Sequence, residues 1–161
     1  MISSVDHLII AVKDLDQAIS DYEKILGITP CWKGKHNELG TRNALFNFEN
    51  TYLELLSPCD VGPGTELVNT LLAENGDHLA GIVLGTKNIE HTKEALNKNG
   101  HAVEISSGET VNEKDGKIRK LHGKDLCDRM GFHGILNIFI DVFNVFHWFC
   151  NVFVLSAFMY F

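Results

Sequence analysis

The sequence has no C-x-x-C pair. Its four cysteines, Cys31, Cys59, Cys127 and Cys150, stand far apart, which argues against a zinc knuckle or a dithiol site. A chain of 161 residues with no secretory start has little need of a disulfide framework. Met1 to His7 offers neither a basic start nor an apolar run leading to a cleavage site. Reduced, packing cysteines and a cytoplasmic setting are therefore expected. Gly-x-Gly-x-x-Gly and the phosphate loop are absent, and so is Gly-x-Ser-x-Gly. Positive charge is scarce: 14 Lys and Arg face 21 Asp and Glu, for a net charge of −7. That balance excludes nonspecific nucleic-acid binding, which needs a basic stripe against phosphates. The one local cluster, Lys117, Arg119, Lys120, Lys124 and Arg129, lacks interleaved aromatics and reads as a solvated face.

What is present is ordinary globular material, 45% apolar and 22% charged. The length suits one domain, or two half-domains sharing a core. One break divides it. Eight of the ten Phe lie between Phe132 and Phe161, and every Lys and Arg precedes Gly131. The chain then reads as four segments: 1–57, a linker with a short helix at 58–78, 79–130, and an apolar tail at 131–161.

Val5 to Val12 is a short apolar, β-branched run, which predicts a mostly buried strand. Asp14 can cap a helix whose apolar residues Leu15, Ala18, Ile19, Tyr22, Ile25 and Leu26 recur at spacings of three and four; Gly27 ends it. Strands follow at Ile28–Lys33, Asn43–Phe48 and Thr51–Ser57, with a polar loop from Gly34 to Thr41. The first 57 residues thus read β-α-β-β-β. After the linker and a helix at Thr65–Glu74, the pattern returns. A strand is expected at Leu79–Thr86, a helix capped by Asn88 and stopped by Gly100, and a strand at His101–Ser107. A polar turn at Gly108–Gly116 and a strand at Lys117–His122 follow.

This is an internal repeat. Val12-Lys13-Asp14-Leu15-Asp16 aligns with Thr86-Lys87-Asn88-Ile89-Glu90. Phe139-Ile140-Asp141-Val142-Phe143 has the pattern of Tyr52-Leu53-Glu54-Leu55-Leu56, and would close the second copy.

Val5-Asp6-His7-Leu8-Ile9-Ile10-Ala11-Val12, followed by Asp14-Leu15-Asp16, resembles the opening of the vicinal oxygen chelate superfamily, the glyoxalase and extradiol-dioxygenase group. Gly34-Lys35-His36, Gly40-Thr41-Arg42-Asn43 and Thr51-Tyr52-Leu53-Glu54-Leu55 resemble its glyoxalase-like branch. The resemblance spans residues 4–122. It implies an α+β fold of two βαβββ modules, whose mixed sheet curls around a cleft; the second module is incomplete unless the tail closes it. In metal-using members the cleft holds one divalent ion, a Lewis acid for two adjacent substrate oxygens. Imidazole and carboxylate ligands suit Zn, Ni, Mn or Fe.

Carried over residue by residue, the resemblance makes His7 and Glu54 the metal ligands from the first and fourth strands. Glu54 is also the candidate proton-moving carboxylate. Asp141 would be a third ligand only if the tail forms the closing strand. Gly81 stands where the second module would bear a ligand, and His78 would need a register change to replace it. His36, Thr41, Asn43 and Tyr52 are the candidate substrate-binding residues. Each has a plainer alternative: His7 as a satisfied core histidine, Glu54 and His36 as exposed residues, Thr41 and Asn43 as turn residues, Tyr52 as packing.

The tail supports competing readings. Asn137, Asp141, Asn144, His147 and Asn151 fall opposite the phenylalanines at about 100° per residue, which predicts an apolar amphipathic helix. Val142–Phe161 is also long enough to span a bilayer, with the basic cluster as its cytoplasmic flank. A shifted reading frame that replaced the original last strand would look the same. An exposed sheet edge would then favour a homodimer. Three functions stay open: a metal-dependent lyase, isomerase or dioxygenase on a small vicinal-oxygen substrate; a metal-free module that sequesters such a molecule; and a tail-anchored scaffold without catalysis.

Overall fold

The computed structural model describes residues 2–101, 108–121 and 135–136. Strand β1 (Ile2–Ala11) leads into helix α1 (Leu15–Leu26), then β2 (Trp32–His36), β3 (Thr41–Asn47) and β4 (Tyr52–Pro58). Helix α2 (Pro63–Asn75) precedes β5 (His78–Thr86), α3 (Ile89–Lys98), β6 (Gly108–Asn112), β7 (Ile118–Leu121) and β8 (Ile135–Leu136). The strands form one mixed sheet in the order β7-β6-β2-β3-β4-β1-β5-β8. The α+β architecture and the leading β-α-β-β-β unit are as expected.

Helix α1 starts where its cap is. The Asp14 carboxylate accepts from the backbone N–H groups of Asp16 and Gln17, both at 3.0 Å, which satisfies donors that a helix start leaves open. Gly27 ends the helix in the left-handed region at φ 69°, where a residue without Cβ meets no steric penalty. Leu15, Ala18 and Ile19 pack on one face of the sheet, against Ala44, Phe46, Leu53 and Leu55. The opposite face carries Ile9, Ala11, Leu56, Ala80 and Val83, covered by Val68 and Leu72 of α2. Fully buried side chains such as Phe46 and Leu55 each contribute roughly 1.5–3 kcal/mol by leaving water. The odd-numbered residues of β1 and the even-numbered residues of β4 therefore face α2, and the side chains between them face α1.

Two expectations change. Strand β2 begins at Trp32, beyond Pro30, and runs through His36. Its buried positions are Trp32, Gly34 and His36, with Lys33 and Lys35 less buried between them; a glycine and a histidine hide the alternation. Gly108–Asn112 is a strand rather than a polar turn, and the turn is confined to Glu113–Asp115. It pairs with β2, far away in sequence, through Gly34↔Asn112 and Lys35↔Val111. Strand β4 lies parallel to β1, and β8 lies antiparallel to β5. The predicted closing strand at 139–143, Asp141 and the apolar tail helix lie outside the described residues.

Candidate functional site

The register of the sheet assembles one polar group. His7 lies opposite Tyr52, and Ile9 opposite Glu54, across the β1–β4 pair. Across β3–β4, Leu45 faces Glu54 and Asn43 faces Leu56. Across β2–β3, Gly34 faces Asn43 and His36 faces Thr41. Alternation then puts His7, Tyr52, Glu54, Asn43, Thr41 and His36 on one side, the side away from α1. All six are buried, none more than 4% exposed. Exposed roles for Glu54 and His36 are thereby overturned, and so is the placement of His36 in a loop.

A fault in β1 adds a seventh member. Val5 pairs with Leu84 and His7 with Val83, so two residues of β1 oppose one of β5 and the register shifts at Asp6. This bulge bends the strand and re-aims its side chains. His7 Nδ1–H then donates to Asp6 Oδ2 at 2.8 Å. On the other side of the ring, Nε2 lies 3.2 Å from Glu54 Oε2. That contact meets an ion-pair distance but lies off hydrogen-bond alignment. Tyr52 stacks on the imidazole with ring centroids 4.2 Å apart and 16° between planes. Asn43 Nδ2 donates to Glu54 Oε1 at 2.7 Å, and His36 Nδ1 meets Thr41 Oγ1 at 3.0 Å.

Burial alone would lower the pKa of His7, but its bonds and charge interactions with Asp6 and Glu54 outweigh this and raise it. Burial alone would raise that of Glu54, yet His7, the His36 side and the Asn43 amide together lower it. We read the pair as imidazolium and carboxylate. His36 is different: burial dominates, lowers its pKa and keeps it neutral.

The sequence brought His7, Glu54, Asn43, Thr41, His36 and Tyr52 into consideration, and the fold brings them together. His78 does not join them. It pairs with Ala11, and its Nδ1 donates to the Gly76 carbonyl at 2.8 Å. Gly81 lies opposite Ile9 and presents no side chain. Three members were missed: Asp6, Gly34 and Thr110. Asp6 carried a usable signal, since an acid inside an apolar strand needs a partner. Thr110 carried none, because its place depends on the long-range pairing of β6 with β2.

The implied metal finds half of a site here. The Asp6 bond fixes the His7 tautomer that leaves Nε2 as the ligating atom, the arrangement in which a carboxylate supports a metal-bound imidazole. Asn43 holds Glu54 Oε1 and leaves Oε2. The 3.2 Å between Nε2 and Oε2 suits neighbouring ligands on an ion with bonds of about 2.1 Å. Among the described residues, however, no group of three or more His, Cys, Asp or Glu could hold a metal. These donors supply one edge of a coordination sphere and do not complete it.

A strand-paired module with a buried imidazole–carboxylate pair on its inner face defines the class, the vicinal oxygen chelate fold. The family model of the glyoxalase-like domain matches residues 5–140, and the chain belongs to that family. Among solved structures, it is similar to methylmalonyl-CoA epimerase from Mycobacterium tuberculosis. The identity is 20% and the TM-score 0.57, over 74% of this chain and 86% of that one. A variant of the Streptomyces coelicolor methylmalonyl-CoA epimerase, in complex with 2-nitronate-propionyl-CoA, matches at 22% identity. Its TM-score is 0.54, over 74% of this chain and 93% of that one. A methylmalonyl-CoA epimerase in complex with methylmalonyl-CoA and NH4+ gives the same values. At these identities the likeness is one of fold. No curated protein matches the chain in sequence.

Proposed function

We propose that this protein binds a small vicinal-oxygen metabolite against the buried floor formed by His7, Glu54 and Asn43. The observation that carries this reading is the His7–Glu54 pair, held from behind at both ends, by Asp6 and by Asn43. Burying two carboxylates and an imidazolium away from water is costly. Simple packing would be served as well or better by hydrocarbon. The pair can hold a proton at His7 Nε2 and accept one at Glu54 Oε2, beside an oxygen of the ligand. Thr41 and His36 extend the polar wall, and Tyr52 fixes the plane of the imidazole.

A metal-free module that holds its ligand fits these residues best, because Gly81 presents no side chain where a further ligand would stand, and two protein ligands rarely retain a catalytic metal. The metal-assisted lyase or isomerase reading is favoured by one observation, the ligand-like spacing of Nε2 and Oε2. In that reading a divalent ion would supply Lewis acidity, and Asp141 would be a further ligand. Metal content per chain separates the two. Wild type and His7→Ala are loaded with Mn, Ni, Fe and Zn in turn and desalted. Near-stoichiometric metal lost in the variant supports the metalloenzyme; none in either leaves the binding module.

Ligand binding itself is tested by following the His7 imidazole signals by NMR. The panel contains small diols, hydroxyketones, diketones and, after the solved neighbours, CoA thioesters. If nothing in it perturbs His7, the binding proposal fails. The scaffold reading concerns residues 131–161 and predicts membrane partitioning of the full chain. Among the described residues no helix is long and apolar enough to cross a membrane. A cytoplasmic location and a homodimer are proposals on the same footing, tested by fractionation and by sedimentation.

A further inference from the structure

The peptide between Asp6 and His7 decides where both side chains point. It is planar, so the two dihedrals beside it aim the Asp6 carboxylate and the His7 ring relative to each other. In a regular strand the two would diverge to opposite faces; here they meet in a 2.8 Å hydrogen bond. Asp6 has no residue opposite it in either neighbouring strand. The β1–β4 pairing starts at His7↔Tyr52, and the register with β5 steps over Asp6. A side chain reaches its carbonyl. Thr51, at the end of the β3–β4 turn, donates its hydroxyl to Asp6 O at 2.7 Å. The turn holds Thr51 in place, since the Phe48 N–H donates to the Thr51 carbonyl at 2.9 Å. The next residue, Tyr52, stacks on the His7 ring with centroids 4.2 Å apart. Two consecutive residues thus clamp two consecutive residues, Thr51 by the backbone of Asp6 and Tyr52 by the ring of His7.

A bulge leaves its extra residue outside the ladder and disrupts the pairing around it. The strand register therefore does not set the angle of that peptide, whereas a hydroxyl bonded to its oxygen does. We propose that Thr51 is a positioning residue for this site. Through the Asp6 carbonyl it fixes the bulge, and the bulge turns Asp6 and His7 to the same side, so that Nδ1 meets Asp6 and Nε2 faces Glu54. The Thr51 proton is committed to the backbone, so its part is orientation and not chemistry on a ligand. The inference rests on the binding reading above for the use made of His7, and not for the geometry that holds it.

The test follows two NMR signatures at constant pH, the His7 Nδ1–H proton and the ring-current shifts between His7 and Tyr52. No ligand is added, so the outcome does not depend on binding. Thr51→Val keeps the shape of the side chain and removes the hydroxyl. In that variant the Nδ1–H proton should exchange with solvent about tenfold faster than in wild type, and the ring-current shifts should change. Thr51→Ser restores the hydroxyl and should return both signatures to wild type. Thr65→Val is the control. It removes a comparable hydroxyl, which donates to the Gly40 carbonyl at 2.6 Å, and should leave both His7 signatures unchanged. If Thr51→Val does not fold, Thr51→Ala is compared with Thr51→Ser in the same way. Wild-type signatures in Thr51→Val, an equal disturbance in Thr65→Val, or failure of Thr51→Ser to restore them would each overturn the proposal. None of these outcomes touches the binding reading, which fails separately if no member of the ligand panel perturbs His7.

Discussion

Asp6 and His7 are consecutive in sequence and share a 2.8 Å hydrogen bond, although a regular strand would turn their side chains to opposite faces. The bulge in β1 makes the bond available, and the bond orients the imidazole toward Glu54. Asp6→Ala leaves a buried N–H without an acceptor and should cost roughly 1–3 kcal/mol. Asp6→Asn keeps an acceptor in place and should cost less. Urea denaturation at constant pH compares them, and an Asp6→Ala protein as stable as wild type would remove the bond from the account.

The two site histidines respond to pH in opposite senses. His7 has a raised folded pKa, so its contribution is complete below its unfolded value of about 6.5 and is lost as pH rises through the folded value. Glu54 has a lowered folded pKa. Its contribution is complete above about 4.3 and is lost as pH falls through the folded value. His36, with its pKa lowered by burial, favours the folded state above about 6.5 and penalises it below. In metal-free protein, the stability advantage of wild type over His7→Gln should therefore peak between about pH 5 and 6. It should shrink as pH rises further. His36→Gln should shift the profile in the reverse direction. Melting curves from pH 4 to 9 on the three proteins provide the check; an advantage that grows with pH would contradict the imidazolium assignment.

Glu54→Gln keeps a carbonyl oxygen for the Asn43 amide but removes the charge opposite His7. The imidazole then loses a nearby negative charge that raises its pKa. NMR titration of His7 should show a lower pKa than in wild type. An unchanged titration would mean that Asp6 alone sustains the raised value.

Gly34 is a place on the floor where a methyl group cannot be added. A Cβ there would collide with Trp32 Nε1 and stand 2.6 Å from Thr110 Oγ1. Both neighbours are buried and held by the sheet. Gly34→Ala should cost about 1–3 kcal/mol by overpacking. Gly85→Ala is the control, because its closest neighbour is the Ser4 hydroxyl at 2.5 Å, an atom that can rotate away. Thermal unfolding of the two variants should rank Gly34→Ala well below Gly85→Ala.

The opening of the fold could be read from the chain because its signals are local. Asp14, the spacing of Leu15, Ala18 and Ile19, and Gly27 each act within a few residues, and the helix lies where they place it. His7 and Glu54 were legible through their setting in apolar strands and the family resemblance. His36 was legible as a candidate but not as a strand residue, since the alternation around it runs through Gly34. Asp6 showed itself as an acid in an apolar strand, but the bulge that turns it toward His7 and the pairing across more than seventy positions that places Thr110 are not written in any short window.

The inner face has its chemistry on one flank and hydrocarbon on the other. Asn43, Glu54, His36 and Thr110 come from β2, β3, β4 and β6, while Ile9, Leu56 and Val83 pack together beside them under α2. A one-residue slip of β4 would turn Glu54 toward α1 and bring its leucine neighbours to this face, so the pairing that holds the sheet together also keeps the chemistry where it is.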